Sequence, residues 1–187
     1  MRVRRVDSTN TVPKVVGQYN PPMAINWQLA LAAAEETGVK LELVGGVPTW
    51  EFFPSIKHQR LVRRIELSIK LAAGCGSDCG CFAVSDAYIK FPDGSYKRPD
   101  IAIFCKEPPD TEEALPTVPD AVVEVISRGF ENKDLVIGAP FYLSQGVKDV
   151  VVVNPVDGTV HHFTTQREMI YDSPQSITLT IGCSIDA

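Results

Sequence analysis

The densest hydrophobic pattern in the chain is a run of valine and isoleucine within residues 119–127, which predicts a strand buried on both faces. A second apolar run covers residues 100–104. Glu124 lies in the middle of the first run, and Asp100 opens the second. An ionised carboxylate in such a strand costs several kcal/mol unless it is paired or binds a metal. We therefore predict that both carboxylates bind one hard cation; the alternative is that Glu124 ends at a sheet edge or pairs with an arginine.

The other periodicities predict a mixture of helices and strands. Helix formers behind good N-cap residues predict helices over residues 27–37 and 56–73. A further helix over 134–145 should be irregular, or begin late, because Gly138 and Pro140 lie inside it. Alternating or apolar runs predict the remaining strands: 39–44, 47–53, two or three strands within 79–104, 150–153, 159–163, 168–171 and 177–181. The last three, 159–163, 168–171 and 177–181, are predicted to form an antiparallel meander.

The composition is that of one globular domain, since the 187 residues are 44% hydrophobic and 22% charged. Residues 1–24 contain several prolines and no clear period, so we predict an extended or poorly ordered arm, followed by a single domain over 25–187. No apolar run is long enough to span a bilayer, and no signal-peptide core follows the basic start of the chain. A cytoplasmic location without membrane contact is therefore expected.

The net charge of −5 excludes a protein that is basic over its whole surface, so any nucleic-acid surface must be local. One face of the predicted second helix carries most of the clustered positive charge: Lys57, Arg60, Arg63, Arg64 and Lys70, against Glu66. Such a face suits a phosphate backbone, although most charged helix faces are simply solvated.

Five cysteines occur, and an odd count without a secretion signal predicts reduced thiols. The segment with Cys75, Cys79 and Cys81 suggests a zinc site, but it lacks a second pair of ligands at the usual spacing. We therefore favour a glycine-rich loop over structural zinc for this segment.

Six short segments follow one another in a characteristic order: 41–46, 54–58, 91–100, 119–127, 142–147 and 151–155. In the order of these segments the chain resembles the Uma-two family of restriction-endonuclease-like nucleases in the PD-(D/E)XK superfamily. The resemblance implies an α/β (α+β) fold with a mixed central sheet flanked by helices. It also implies Mg²⁺ or Mn²⁺ as cofactor and nucleic acid, in the first place DNA, as partner.

The resemblance also implies roles for individual residues. Asp100 and Glu124 would be the metal ligands, with the backbone carbonyl of Val125 as a third. Glu42 would be the acidic residue that precedes the core, near the metal or a water. His58 matches the histidine before the first long helix, and its role is open.

The catalytic lysine departs from the pattern of the superfamily. In the simplest form it lies two residues after the strand glutamate, where this chain has Ile126. In the family it usually lies four residues before the residue matched by Tyr142, and that position is Gly138. Lys133 is the nearest candidate, but on a regular helix it lies about 140° around the axis from Gly138. It reaches the site only if Pro140 disrupts that turn.

Three functions remain compatible with these residues. The leading hypothesis is a metal-dependent endonuclease in which a bound water attacks phosphorus and Lys133, or less directly Lys97 or Arg98, offsets the developing charge. The alternative is a catalytically inactive member that binds nucleic acid or a protein partner, which Gly138 and the acidic net charge favour. A metal-dependent hydrolase of a smaller substrate is the third. A homodimer is compatible with cleavage of both strands, which needs two sites.

Overall fold

The computed structural model describes residues 2–5, 26–74, 78–127, 129 and 133–187. Its helices are α1 (Trp27–Glu36), α2 (Ile56–Ser68), a π-helix (Lys133–Gly138) and α3 (Ala139–Ser144). Its strands are β1 (Arg2–Arg5), β2 (Val39–Val44), β3 (Val47–Phe52), β4 (Lys70–Leu71), β5 (Phe82–Ser85), β6 (Ile89–Lys90), β7 (Tyr96–Lys97), β8 (Ile101–Phe104), β9 (Ala121–Val125), β10 (Asp149–Asn154), β11 (Thr159–Phe163), β12 (Arg167–Asp172), β13 (Ser176–Thr178) and β14 (Cys183–Asp186).

A mixed seven-stranded sheet forms the centre of the fold, in the order β1-β12-β11-β10-β9-β8-β5. Strands β9 and β10 are parallel, and the other neighbours in this sheet are antiparallel. A four-stranded sheet, β3-β2-β7-β6, and a three-stranded sheet, β13-β14-β4, complete the described architecture. The mixed central sheet with flanking helices confirms the predicted fold class.

The central strand β9 is buried on both faces, as its composition predicts. Val123 and Val125 pack in the cluster that contains residues of α2 and the C-terminal strands. Val122 and Ile126 pack in a second cluster, which contains Phe141 and Tyr142 of α3. Because successive strand side chains point to opposite faces, Glu124 lies on the α3 side of the sheet.

Helix α2 begins where the sequence predicts and ends earlier. The Ser55 hydroxyl accepts a hydrogen bond from the His58 backbone N–H, as expected for an N-cap. The helix ends at Ser68 rather than at residue 73, because Ile69 is extended and Lys70–Leu71 pair with β14. Backbone pairing with a strand distant in sequence therefore outweighs the local preference for helix in these residues.

The C-terminal region is only partly the predicted meander. Strands β11 and β12 are antiparallel neighbours, as predicted, but the third strand of this antiparallel run is β10 rather than the segment 177–181. The strand predicted over 177–181 is wrong in extent: β13 ends at Thr178, and a turn with Gly182 at φ 91° leads into β14. The reason is that Gly182 permits a tight reversal, so that this hairpin forms a sheet of its own with β4.

Most of the predicted N-terminal arm, residues 1–24, lies outside the described residues. Within it, β1 pairs antiparallel with β12 at one edge of the central sheet. None of the helices in the described part of the chain is long and apolar enough to cross a membrane.

The cysteines differ from the sequence expectation of free thiols. Two disulfides join Cys79 to Cys105 and Cys81 to Cys183. Cys105 directly follows β8 and Cys183 opens β14, so that tertiary pairing, rather than local spacing, brings these sulfurs together. Cys75 lies outside the described residues.

A buried polar cluster at the start of β10 holds the end of the chain. Asp149 Oδ1 accepts hydrogen bonds from His162 Nε2 (2.7 Å) and the Thr180 backbone N–H (3.0 Å), and its Oδ2 accepts from the Thr180 hydroxyl (2.6 Å). Burial raises the pKa of Asp149, but the hydrogen bonds from His162 and Thr180 outweigh it and lower that pKa below its usual value.

Replacing Asp149 by alanine is expected to lower the free energy of unfolding by about 3–5 kcal/mol at pH 7, because it leaves buried donors without their acceptor. The lowered pKa of Asp149 means that this stabilisation is present above the unfolded aspartate pKa of about 3.9 and is lost as pH falls through the folded value. Urea unfolding at pH 7 and at pH 3 measures both effects. The exposed Asp172→Ala is the matched control, and an equal loss in both variants would contradict the assignment.

Candidate functional site

The structure brings Asp100 and Glu124 together at the ends of two adjacent strands. In the β8–β9 register Ile101 lies opposite Val123, so the next pair outward is Asp100 with Glu124. The Asp100 backbone N–H donates to Glu124 Oε2 (3.2 Å), and the Val125 backbone N–H donates to Asp100 Oδ2 (2.7 Å). Both side chains are buried and line the same pocket. Two carboxylates from separate strands therefore share one site.

His58 contacts this pair from the first turn of α2. Its Nε2 lies 2.8 Å from the Val125 carbonyl oxygen and 3.2 Å from Asp100 Oδ2. Because a carbonyl only accepts hydrogen bonds, Nε2 carries a proton here and donates it to Val125. Burial lowers the pKa of His58, but the hydrogen bond and charge of Asp100 outweigh burial and raise that pKa.

The two carboxylates respond to their surroundings in opposite directions. Burial raises the pKa of Asp100, but the hydrogen bond from His58 and the charge of Lys40 outweigh it, so that the pKa is lowered. Burial also raises the pKa of Glu124, and the negative charge of Asp100 raises it further. Glu124 thus lies close to a second negative charge, and a cation between them would relieve this repulsion.

Glu42 projects from β2 into a group of positive charges. Its Oε2 accepts a hydrogen bond from Lys97 Nζ (2.7 Å) and lies 3.3 Å from Lys133 Nζ, while its Oε1 accepts from the Arg98 backbone N–H (2.9 Å). Burial raises the pKa of Glu42, but the charges of Lys97, Lys133 and Lys40 outweigh it and hold the pKa well below the ordinary value. Glu42 therefore orients lysine ammonium groups in this structure.

Lys133 reaches the site because the chain forms a π-helix at this point. Residues 133–138 are π-helical, and Pro140 lies in the first turn of α3 directly afterwards. A π-helix pairs residues i and i+5, which puts Lys133 one turn from Gly138 rather than on the far side of the axis. The Lys133 ammonium group therefore lies beside Glu42, although Lys133 precedes Gly138 by five positions.

Arg98, by contrast, does not bring its guanidinium to the site. The side chain pairs with Glu35 and Asp86 and packs over the Tyr88 ring. Only its backbone N–H contacts Glu42. The weaker sequence candidate Lys97 does lie in the site, fully buried against Glu42.

Three residues join the site without having been assigned a role from the sequence. The Tyr142 hydroxyl donates to Glu124 Oε1 (2.6 Å), and burial together with the nearby Glu124 charge raises the pKa of Tyr142 well above its usual value. Lys40 Nζ lies 3.9 Å from Asp100 Oδ1. Asp134 is buried beside Lys133. One signal for Lys40 exists in the sequence, since a residue two positions before Glu42 on a strand shares its face.

The pocket between these groups is very small. Among the residues that the structure describes, ten line it: Lys40, Phe52, Pro54, His58, Asp100, Glu124, Val125, Ser127, Lys133 and Asp134. Its volume of about 10 Å³ is on the scale of a single water molecule. Phe52, at the end of β3, lines the pocket and is 68% exposed, so that its ring lies at the mouth.

Comparisons with known proteins place this geometry in a family. Residues 27–184 match the family model Uma2, described as "Putative restriction endonuclease". The chain belongs to the Uma2 family. The matched segment includes every residue of the site, from Lys40 to Tyr142. No curated protein sequence compared with the chain matches it.

The Uma2 chain also resembles a solved structure in fold. That structure is described as a "putative nuclease belonging to DUF820 from Anabaena variabilis ATCC 29413". The TM-score is 0.56 at 19% sequence identity, with 74% of this chain and 80% of the other covered. At this identity the likeness concerns the fold alone.

Proposed function

We propose that this Uma2 protein is a metal-dependent endonuclease that hydrolyses phosphodiester bonds of nucleic acid, with DNA as its substrate. The observation that carries the proposal is the convergence of Asp100, Glu124 and the Val125 carbonyl on one pocket, with the ammonium group of Lys133 beside it. This combination of hard oxygen ligands and a neighbouring cation suits metal-dependent hydrolysis of a phosphodiester.

The donor set fits Mg²⁺ or Mn²⁺. Two carboxylates and one backbone carbonyl are hard oxygen ligands, and the pocket volume is close to that of a single water molecule or ion. His58 Nε2 donates its proton to the Val125 carbonyl oxygen and lies near Asp100 Oδ2. These two oxygens therefore already attract a partial positive charge, as they would attract a cation. Asp100, Glu124 and Val125 would hold the ion. When bound, it supplies a polarised phosphate oxygen and a more acidic water.

The remaining side chains of the site position and balance these ligands. The Tyr142 hydroxyl fixes one Glu124 oxygen, and the Asp100 backbone N–H fixes the other. Glu42 holds Lys97 and Lys133, so that the Lys133 ammonium remains available to offset charge that develops on the phosphate. His58 orients Asp100 and the Val125 carbonyl. Each of these side chains contributes by electrostatic preorganisation of the site, and none of them acts as a nucleophile.

The size of the pocket favours a polymeric substrate over a small molecule. Small-molecule sites usually enclose about 300–1,000 Å³, far above the volume available here. A substrate must therefore lie across the mouth of the pocket and present one phosphate to it. The exposed aromatic rings of Trp50 and Phe52, which contact each other edge to face at 5.7 Å, offer a surface for stacking bases beside this mouth.

The proposal is tested by incubating the purified chain with supercoiled plasmid DNA, single-stranded DNA and RNA in Mg²⁺, Mn²⁺ or EDTA. We expect cleavage of DNA that requires the metal and stops in EDTA. Titration calorimetry should show uptake of Mn²⁺ by the wild type and not by Asp100→Asn. Absence of metal uptake in the wild type would end the enzyme proposal, whereas metal uptake without cleavage of any nucleic acid would favour the inactive binding module.

A further inference from the structure

A second site lies at the opposite end of β8 from Asp100. Cys79 and Cys81 precede β5, Cys105 follows β8, and Cys183 opens β14. Because β5 and β8 are antiparallel with Phe82 opposite Phe104, the start of one and the end of the other meet. Cys105 lies five residues beyond Asp100, which corresponds to about 16 Å along a strand. The cysteine cluster is thus separate from the proposed nuclease site.

The two disulfides lie against each other: three of their four sulfur atoms form one compact group, and the fourth, that of Cys105, is bonded to Cys79. Beyond the pairs Cys79–Cys105 and Cys81–Cys183, the sulfurs of Cys79 and Cys183 lie 3.5 Å apart. The sulfurs of Cys79, Cys81 and Cys183 all lie within 4.8 Å of one another. Disulfide bonding gives each sulfur one partner and does not require contact between the pairs. Such contact is required where four thiolates surround a single ion.

The spacing agrees with tetrahedral zinc. A Zn–S bond of about 2.3 Å gives sulfur–sulfur edges of about 3.8 Å in a regular tetrahedron. The 3.5 Å contact between the Cys79 and Cys183 sulfurs is close to this edge. Small rotations of the side chains that are now paired would separate their sulfurs to the same distance, without any change in strand pairing. Cys79 and Cys183 are buried and the other two half-buried, as in a closed structural site.

We propose that Cys79, Cys81, Cys105 and Cys183 form a structural Zn²⁺ site in the reduced protein, which ties β14 to the β5–β8 edge of the central sheet. The two disulfides are the oxidised form of the same cluster. Their opening takes four electrons and four protons from a dithiol reductant, and Zn²⁺ then displaces the four thiol protons, so that a complex of net charge −2 forms. The sequence pattern did not reveal the site, because two of its ligands lie far from the glycine-rich segment.

The location of the cluster explains what a bound ion would stabilise. Cys183 belongs to the three-stranded sheet, whereas Cys81 and Cys105 flank paired strands of the central sheet. The backbone N–H of Gly80 donates to the Cys105 carbonyl (2.8 Å), which keeps the two cysteine-bearing segments in register. A zinc ion here would join the two sheets at a second point, in addition to the hydrogen bonds between Asp149 and Thr180.

The test is the metal content of the chain purified with a dithiol reductant and dialysed against ZnCl₂. We expect about one zinc per chain in the wild type and in Cys75→Ser, and none in Cys81→Ser or Cys105→Ser. Substitution with Co²⁺ should give the sulfur-to-cobalt charge-transfer bands and the visible bands of a tetrahedral thiolate site. This spectrum, taken on the wild type, does not depend on whether a variant folds.

Three results would overturn the proposal. Intact-mass measurement could show that the reduced and dialysed protein still lacks four hydrogens and carries no zinc, which would mean permanent disulfides. One bound iron per chain instead of zinc would show that the assigned metal is wrong. Loss of zinc in Cys75→Ser would show that the assigned set of ligands is wrong. None of these outcomes depends on whether the chain cleaves nucleic acid.

Discussion

Replacing Glu124 by glutamine is expected to lower the rate of metal-dependent nucleic-acid cleavage by at least about a thousandfold. Glutamine has nearly the same shape, and its amide oxygen still accepts the hydrogen bond that Tyr142 donates to Glu124 Oε1. The negative charge next to Asp100 is lost, however, and with it one ligand of the proposed metal. Gel assays of plasmid cleavage at saturating metal measure the effect on rate, and calorimetry measures the loss of metal affinity.

The matched control for this prediction is Glu66→Gln, which removes the same charge from an α2 glutamate that pairs with Arg63. This variant should cleave within about twofold of the wild-type rate, since single surface ion pairs contribute little. Wild-type cleavage and wild-type Mn²⁺ affinity in a folded Glu124→Gln would show that Glu124 is not a metal ligand. Circular dichroism of both variants separates loss of function from loss of fold.

Replacing Lys133 by methionine is expected to lower kcat by about a hundredfold, with a much smaller change in KM. Methionine keeps the length and apolar stem of the side chain and removes only the ammonium group. That group lies 3.3 Å from Glu42 Oε2, and the Lys133 side chain is 14% exposed, compared with 2% for Lys97. Its loss should therefore affect the transition state more than the affinity for substrate. Steady-state kinetics on a short duplex measure both constants.

Two further variants show whether the effect belongs to Lys133 itself. The exposed Lys57→Met, in the first turn of α2, removes a lysine outside the site and should leave kcat unchanged. Lys97→Met breaks the fully buried pair with Glu42 and is expected to lower the free energy of unfolding by about 3–5 kcal/mol. If Lys97→Met stays folded and loses kcat while Lys133→Met does not, the catalytic cation is Lys97 and the π-helix has no role in activity.

The sequence alone determined the main elements, because they depend on interactions within a few residues. Asn26 and Ser55 cap α1 and α2 through hydrogen bonds to the third residue that follows each of them. The apolar runs identified β9 and β8 as buried strands, and with them the carboxylates of Glu124 and Asp100. A carboxylate in the middle of an apolar strand is visible without coordinates, and because burying it unpaired is costly, it indicates that some partner must exist.

Only the tertiary structure decided how these elements complete the site. Helix α2 ends at Ser68 because β14, more than a hundred residues away, offers a strand to pair with. Lys133 reaches Glu42 because the backbone takes a π-helical turn before Pro140, which no short-range pattern specifies. The contacts of Tyr142 and Lys40, and the contact between the sulfurs of Cys79 and Cys183, follow from packing between distant segments. The periodicity of the sequence indicates which face of a strand or helix a side chain lies on. Strand register and helix packing determine which other residues that side chain contacts.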